Sequence, residues 1–109
     1  MPMATDYETI EPTRAEIEAL QGPVVLEFGT PWCGFCRAAQ PLIESAFAGH
    51  PAVRHVKIED GSGRALGRAF KVKLWPTLVF LSQGQESARL VRPGQQADID
   101  EALARIDPT

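Results

Sequence analysis

Val24-Val25-Leu26-Glu27-Phe28 is an almost unbroken apolar run, rich in β-branched residues, and it reads as a strand buried on both faces. One carboxylate interrupts it. From Cys36 to Gly49 the apolar residues Ala39, Leu42 or Ile43, Ala46 and Phe47 recur at helical spacing. Pro41 falls inside that stretch and removes the bond to the Arg37 carbonyl, which predicts a bent helix. Val53, Val56 and Ile58 mark a second strand, and Gly61-Ser62-Gly63 turns the chain into a shorter helix carrying Leu66 and Phe70. Leu78-Val79-Phe80-Leu81 is a third strand, joined through Gln83-Gly84-Gln85 to Ser87–Val91 as an antiparallel hairpin. Beyond Pro93-Gly94, the residues Ile99, Leu103 and Ile106 line a last helix. Ahead of all this, Thr13-Arg14-Ala15-Glu16 fits a capping box for a helix that holds Ile17 and Leu20 and stops at Gly22-Pro23.

The order is helix, strand, helix, strand, helix, strand, strand, helix, a βαβ unit followed by a ββα unit. It predicts an α/β fold: a mixed sheet of four to five strands with helices on both faces. No repeat or internal linker divides the chain, so residues 1–109 are expected to form a single domain, with 1–12 as a loose N-terminal segment. At 44% hydrophobic and 23% charged residues the composition is that of an ordinary globular protein. A net charge of −3 supplies no basic field, so nucleic acid and anionic membranes are not expected partners.

Chemistry enters at Trp32-Cys33-Gly34-Phe35-Cys36, which holds both cysteines of the chain at the C-terminal end of the first strand. In open α/β sheets reactive groups gather at that end. On the first turn of a helix, residues three apart lie about 5–6 Å apart at Cβ, close to the roughly 3.8 Å that a disulfide prefers. The pair can therefore open and close. Cys33, at the helix start, faces unpaired backbone N–H groups and the positive end of the helix dipole, which favour thiolate over thiol. It is assigned as the nucleophile. Cys36, one turn further in, is expected to be more buried and less acidic and is assigned as the resolving thiol.

Two cysteines with no basic-then-apolar leader at Met1–Ile10 read as a cytoplasmic redox pair and not a secreted framework. A zinc site would need two further ligands, and His50 and His55 follow no ligand spacing. No metal or bound cofactor is expected, only a redox-active disulfide between Cys33 and Cys36. Both histidines read as solvated loop or strand-edge residues. Arg89 and Arg92 read as the outward face of an edge strand, where charge discourages pairing with another chain.

Over nearly its whole length, from about Thr13 to Ile106, the chain resembles the thioredoxin family. Trp32-Cys33-Gly34-x-Cys36 matches the family's motif, Pro76-Thr77 at the mouth of a strand matches its cis-proline, and Gly84 and Gly94 fall where the hairpin and last loop carry glycine. The resemblance implies a thioredoxin fold and a thiol–disulfide oxidoreductase that most often reduces protein disulfides. It also implies a monomer with a thioredoxin reductase as electron donor. Pro76 would lie beside the sulfurs and leave the backbone of Trp75 free to pair with an extended substrate. Trp32, Gly34, Phe35, Trp75, Thr77 and Gly94 would line the substrate site.

Glu27 takes the place of the family's partly buried Asp, and its expected partner is Lys57, also a family match. Burial favours the protonated carboxyl, which suits a base that takes the Cys36 proton. Phe35 stands where proline is usual and Trp75 where a small β-branched residue is usual. The first bears on dithiol stability and the second on which partners fit. Two other readings compete: a glutaredoxin-like reductase using glutathione, and a binding or assembly module with little redox turnover.

Overall fold

A computed structural model describes residues 3–109. Its elements are α1 (Arg14–Glu18), β1 (Pro23–Gly29), α2 (Gly34–Ala48), β2 (Arg54–Glu59), α3 (Ala65–Ala69), β3 (Thr77–Ser82), β4 (Gln85–Val91) and α4 (Gln96–Ile106). The capping box forms as the sequence predicts. Thr13 Oγ1 accepts from the Glu16 N–H, and Glu16 Oε1 accepts from the Thr13 N–H. Pro41 lies inside α2, which is assigned as one helix from Gly34 to Ala48.

Four strands stand in the order β2-β1-β3-β4, with β1 parallel to β2 and antiparallel to β3. The hairpin between β3 and β4 turns on Gln83 and Gly84 alone, at φ 51° and 77°, and Ser82 pairs Gln85 across it. Positive φ at both turn positions is what gives a two-residue turn the right-handed twist of its strands, and Gly84 adopts it without penalty.

Alternation along the strands divides the core into two layers. Val24, Leu26 and Phe28 of β1 join Val56, Ile58, Val79 and Leu81 in a cluster with Ile17 of α1 and Leu66 of α3. Val25 of β1 joins Leu78 and Phe80 in a cluster with Ile43 and Phe47 of α2 and Ile99 and Leu103 of α4. Each fully buried aliphatic or aromatic side chain contributes about 1.5–3 kcal/mol, so both sheet faces are closed by apolar packing and not by the charged residues. The parity has a direct consequence for the site. Glu27 follows Val25 on the α2 face, as do His55 and Lys57 of β2 by the same count.

The N-terminal segment is not loose where it is described. Tyr7 makes an isolated parallel bridge to Lys57, and the Glu8 N–H donates to the Lys57 carbonyl at 2.9 Å. The Ala4 N–H donates to His55 Nδ1 at 2.9 Å. The unpaired edge of β2 explains this order, because it offers backbone groups to any chain lying alongside. His50 departs from expectation too: its Nδ1 lies 2.6 Å from Asp107 Oδ2 and ties the end of α2 to the end of α4.

Candidate active site

Cys33 is the N-cap of α2, with extended backbone, and its Sγ accepts the Cys36 N–H at 3.1 Å. The thiol thus takes the place of a Ser or Asp cap and receives a helix donor that has no partner within the helix. Both cysteines are free thiols, Cys33 7% exposed and Cys36 2% exposed. Burial pushes the Cys36 thiol up to about 12, helped by its hydrogen bond with Cys33 and opposed by a backbone N–H of Thr30.

Gly29, at the end of β1, is what lets Cys36 sit there. A Cβ on Gly29 would lie 2.5 Å from Cys36 Sγ and 3.1 Å from the Tyr7 hydroxyl, so the sulfur and the phenol share the space that a side chain would fill. Tyr7 comes from the N-terminal segment, and burial raises its phenol well above the ordinary value, with the Glu27 carboxylate adding to the shift. A cleft of about 440 Å³ lined by Tyr7, Thr30, Cys36, Gln40 and Lys57 leads to the resolving thiol on this side.

Beneath the cleft, Glu27 is fully buried. The expected ion pair with Lys57 is corrected: although the two residues are paired across β1 and β2, Glu27 Oε1 lies 2.9 Å from His55 Nε2 and Oε2 accepts from Gln40 Nε2 at 2.8 Å. Lys57 Nζ reaches outward to Gln40 Oε1 at 3.3 Å and sits 4.6 Å over the Tyr7 ring. The reading of His55 as a solvated residue is corrected as well, since its ring is enclosed and packs 4.8 Å from Phe47. Removing one partner of such a buried hydrogen bond typically costs about 1–3 kcal/mol. Sequence reasoning missed His55 and Gln40. Parity carried the signal for the first, because His55 lies two residues before Lys57 on the same face of β2.

On the other side of the sulfurs the surface is aromatic. Trp32 and Phe35 are exposed, and Trp32 meets Trp75 edge to face at 5.5 Å. The Trp75 indole N–H donates to Asp60 Oδ2 at 2.9 Å, which fixes the ring over the end of β2. The Trp75-Pro76 peptide is cis, and Pro76 is buried. Trp75 does not leave its backbone wholly free, because Arg92 Nε donates to the Trp75 carbonyl at 2.8 Å. Arg92 lies past the end of β4 at φ 50°, and its guanidinium stacks 3.9 Å over Phe35. It is therefore not simply an outward edge charge.

Of the remaining expected site residues, Gly34 opens α2 at the surface. Thr77 is buried and its hydroxyl donates to the Leu74 carbonyl at 2.6 Å, so its side chain serves the loop before β3. Gly94 is exposed between β4 and α4, with open space where a Cβ would be.

As a whole, the chain is similar to known proteins in sequence and in fold. The family model for thioredoxin matches residues 7–105. Thioredoxin 2 from Pseudomonas aeruginosa, solved in its reduced form, superposes with a TM-score of 0.85 at 53% identity over 95% of this chain and 96% of that one. Thioredoxin from Chlamydia pneumoniae is 34% identical over 64% of this chain and 69% of its own length. Thioredoxin Asp f 28 from Aspergillus fumigatus is 28% identical over 78% of this chain and 79% of its own. With the family model matched over residues 7–105, the chain belongs to the thioredoxin family.

Proposed function

We propose that this thiol–disulfide oxidoreductase reduces protein disulfides, with Glu27 as the base for its resolving thiol and the Trp32, Phe35, Trp75 surface as its docking face. The observation that carries the reading is the asymmetry of the dithiol. Cys33 caps the helix with a donated N–H, while Cys36 is enclosed beside Gly29 and Tyr7 with its thiol held protonated.

The chemistry follows from that asymmetry. Cys33 thiolate attacks one sulfur of the substrate disulfide, the substrate S–S bond breaks, and a Cys33–substrate mixed disulfide forms as the other substrate sulfur leaves as thiolate and takes a proton. Cys36 then loses its proton to Glu27 and attacks Cys33 Sγ. The Cys33–Cys36 disulfide forms and the second substrate thiolate leaves and is protonated in turn. Two electrons pass from the dithiol to the substrate. A thioredoxin reductase restores the dithiol, the protein works as a monomer, and a reducing compartment such as the cytoplasm suits this direction.

The roles are tested by trapping. Cys36→Ser is expected to accumulate mixed disulfides through Cys33 and Cys33→Ser to accumulate none; equal trapping by both would reverse the assignment. The donor is tested by supplying NADPH with thioredoxin reductase or glutathione with its reductase. Turnover with glutathione alone would overturn the choice of donor. For Trp75, substitution by Ile is expected to change rates unevenly among unrelated protein disulfides, and equal rates for all of them would remove its role in partner choice.

A further inference from the structure

The proton position on His55 is legible from its neighbours. A backbone N–H can only donate, so the Ala4 contact makes Nδ1 an acceptor. The ring is then neutral and carries its proton on Nε2, which faces Glu27 Oε1 at 2.9 Å. Glu27 consequently receives two donors, His55 Nε2–H on one oxygen and Gln40 Nε2–H on the other. With a donor on each oxygen, the carboxyl plane of Glu27 is fixed between β2 and α2. Gln40 also donates to the Cys36 carbonyl at 2.9 Å, so the same cluster is tied to the helix that bears the thiols.

We propose that His55 is a positioning residue for Glu27: locked as the Nε2–H tautomer by the Ala4 backbone, it holds the carboxyl group oriented towards the helix that bears Cys36, so the N-terminal segment sets the geometry of the base. This rests on the reading of Glu27 as the base for Cys36. The second oxygen is served from α2 and the first from β2, while β3 places only Leu78 opposite Glu27. The titratable or charged groups facing the cluster are His55 and Lys57 from β2, Cys36 from α2 and Tyr7 from the N-terminal segment, with Arg37 and Asp6 on the cleft wall. Among these, Lys57 is engaged with Gln40, and Tyr7 stays protonated beside the thiol. His55 is the direct partner that a single backbone contact controls.

Nitrogen-15 spectra of the wild-type imidazole give the first test without any substitution. At pH 7 the signals are expected to be those of the Nε2–H tautomer, and an Nδ1–H tautomer would overturn the proposal. Ala4→Pro removes the N–H and touches no side chain in the cluster. It is expected to let the ring exchange tautomers, and an unchanged spectrum would show that the segment does not set the state. His55→Val is expected to move the carbon-13 signal of the Glu27 carboxyl and to slow mixed-disulfide release at pH 7 by about tenfold, as loss of one hydrogen bond to a charged group would. His55→Gln, which keeps a donor, should restore most of both and guards against a variant that merely misfolds. An unmoved Glu27 carboxyl signal in a folded His55→Val protein sinks the inference. Glu27→Gln separates the two ideas: wild-type release rates in that variant would remove the base while leaving the His55–Glu27 coupling to stand or fall on the carboxyl signal.

Discussion

The guanidinium of Arg92 lies 3.9 Å over the ring of Phe35, and the same side chain donates to the Trp75 carbonyl. One residue beyond β4 thus bridges the middle of the cysteine motif and the loop before the cis-proline. A substrate strand that pairs with the Trp75 backbone must displace this contact. Hydrogen bonds of charged donors contribute about 1.5–3 kcal/mol when shielded and less when exposed, as here. Arg92→Ala is expected to raise kcat/KM for an uncharged extended peptide disulfide about three- to tenfold, chiefly by lowering KM. A fall in kcat/KM would mean that the guanidinium recruits substrate instead of competing with it.

Gly29→Ala puts a methyl group 2.5 Å from Cys36 Sγ. Overpacking of this kind costs about 1–3 kcal/mol, a drop in Tm of at least about 4 °C for a chain of this size. The shift must fall on the sulfur or on Tyr7, so mixed-disulfide release is expected to slow as well. Thermal unfolding of the reduced protein checks the first effect, and an unchanged Tm would show that the space beside Gly29 is larger than the geometry gives.

Alkaline pH is expected to destabilise the reduced protein through Cys36. Its thiol rises from an ordinary 9.0 to about 12, mainly by burial. With the folded value above the unfolded one, the thiol's contribution to stability is whole below pH 9 and is lost as pH climbs towards 12, because the unfolded chain ionises first. Tyr7 adds a loss of the same sign. Urea unfolding between pH 8 and 11 is expected to fall more steeply for the wild type than for Cys36→Ala; parallel slopes would contradict it.

Thr13→Ala removes the cap of α1 and one half of the reciprocal bond with Glu16. The expected loss is about 1 kcal/mol, or about 4–8 °C in Tm, with little change in redox rates. Rates that fall together with Tm would show that α1 reaches the site.

The strands and the longer helices were legible because they rest on local regularities: the apolar run ending in Phe28, the helical spacing of Ile43 and Phe47, the glycine at the hairpin turn. The dithiol was legible for the same reason, since three residues on one helical turn settle its geometry. Glu27 was legible as a buried acid, but its partner was not. Lys57 stands beside it in the register, yet a long side chain has other places to go, and it leaves to meet Gln40 and Tyr7.

The sequence by itself determined the order of elements and the presence of an exchangeable cysteine pair, because each depends on neighbours a few residues apart. The tertiary structure decided what surrounds that pair. Tyr7 fills the space left by Gly29, Ala4 selects a tautomer of His55 fifty-one residues away, and Arg92 folds back over Phe35. These contacts join segments distant in the chain, and their geometry follows from how the sheet edge, the N-terminal segment and the last loop pack together, which no local pattern specifies.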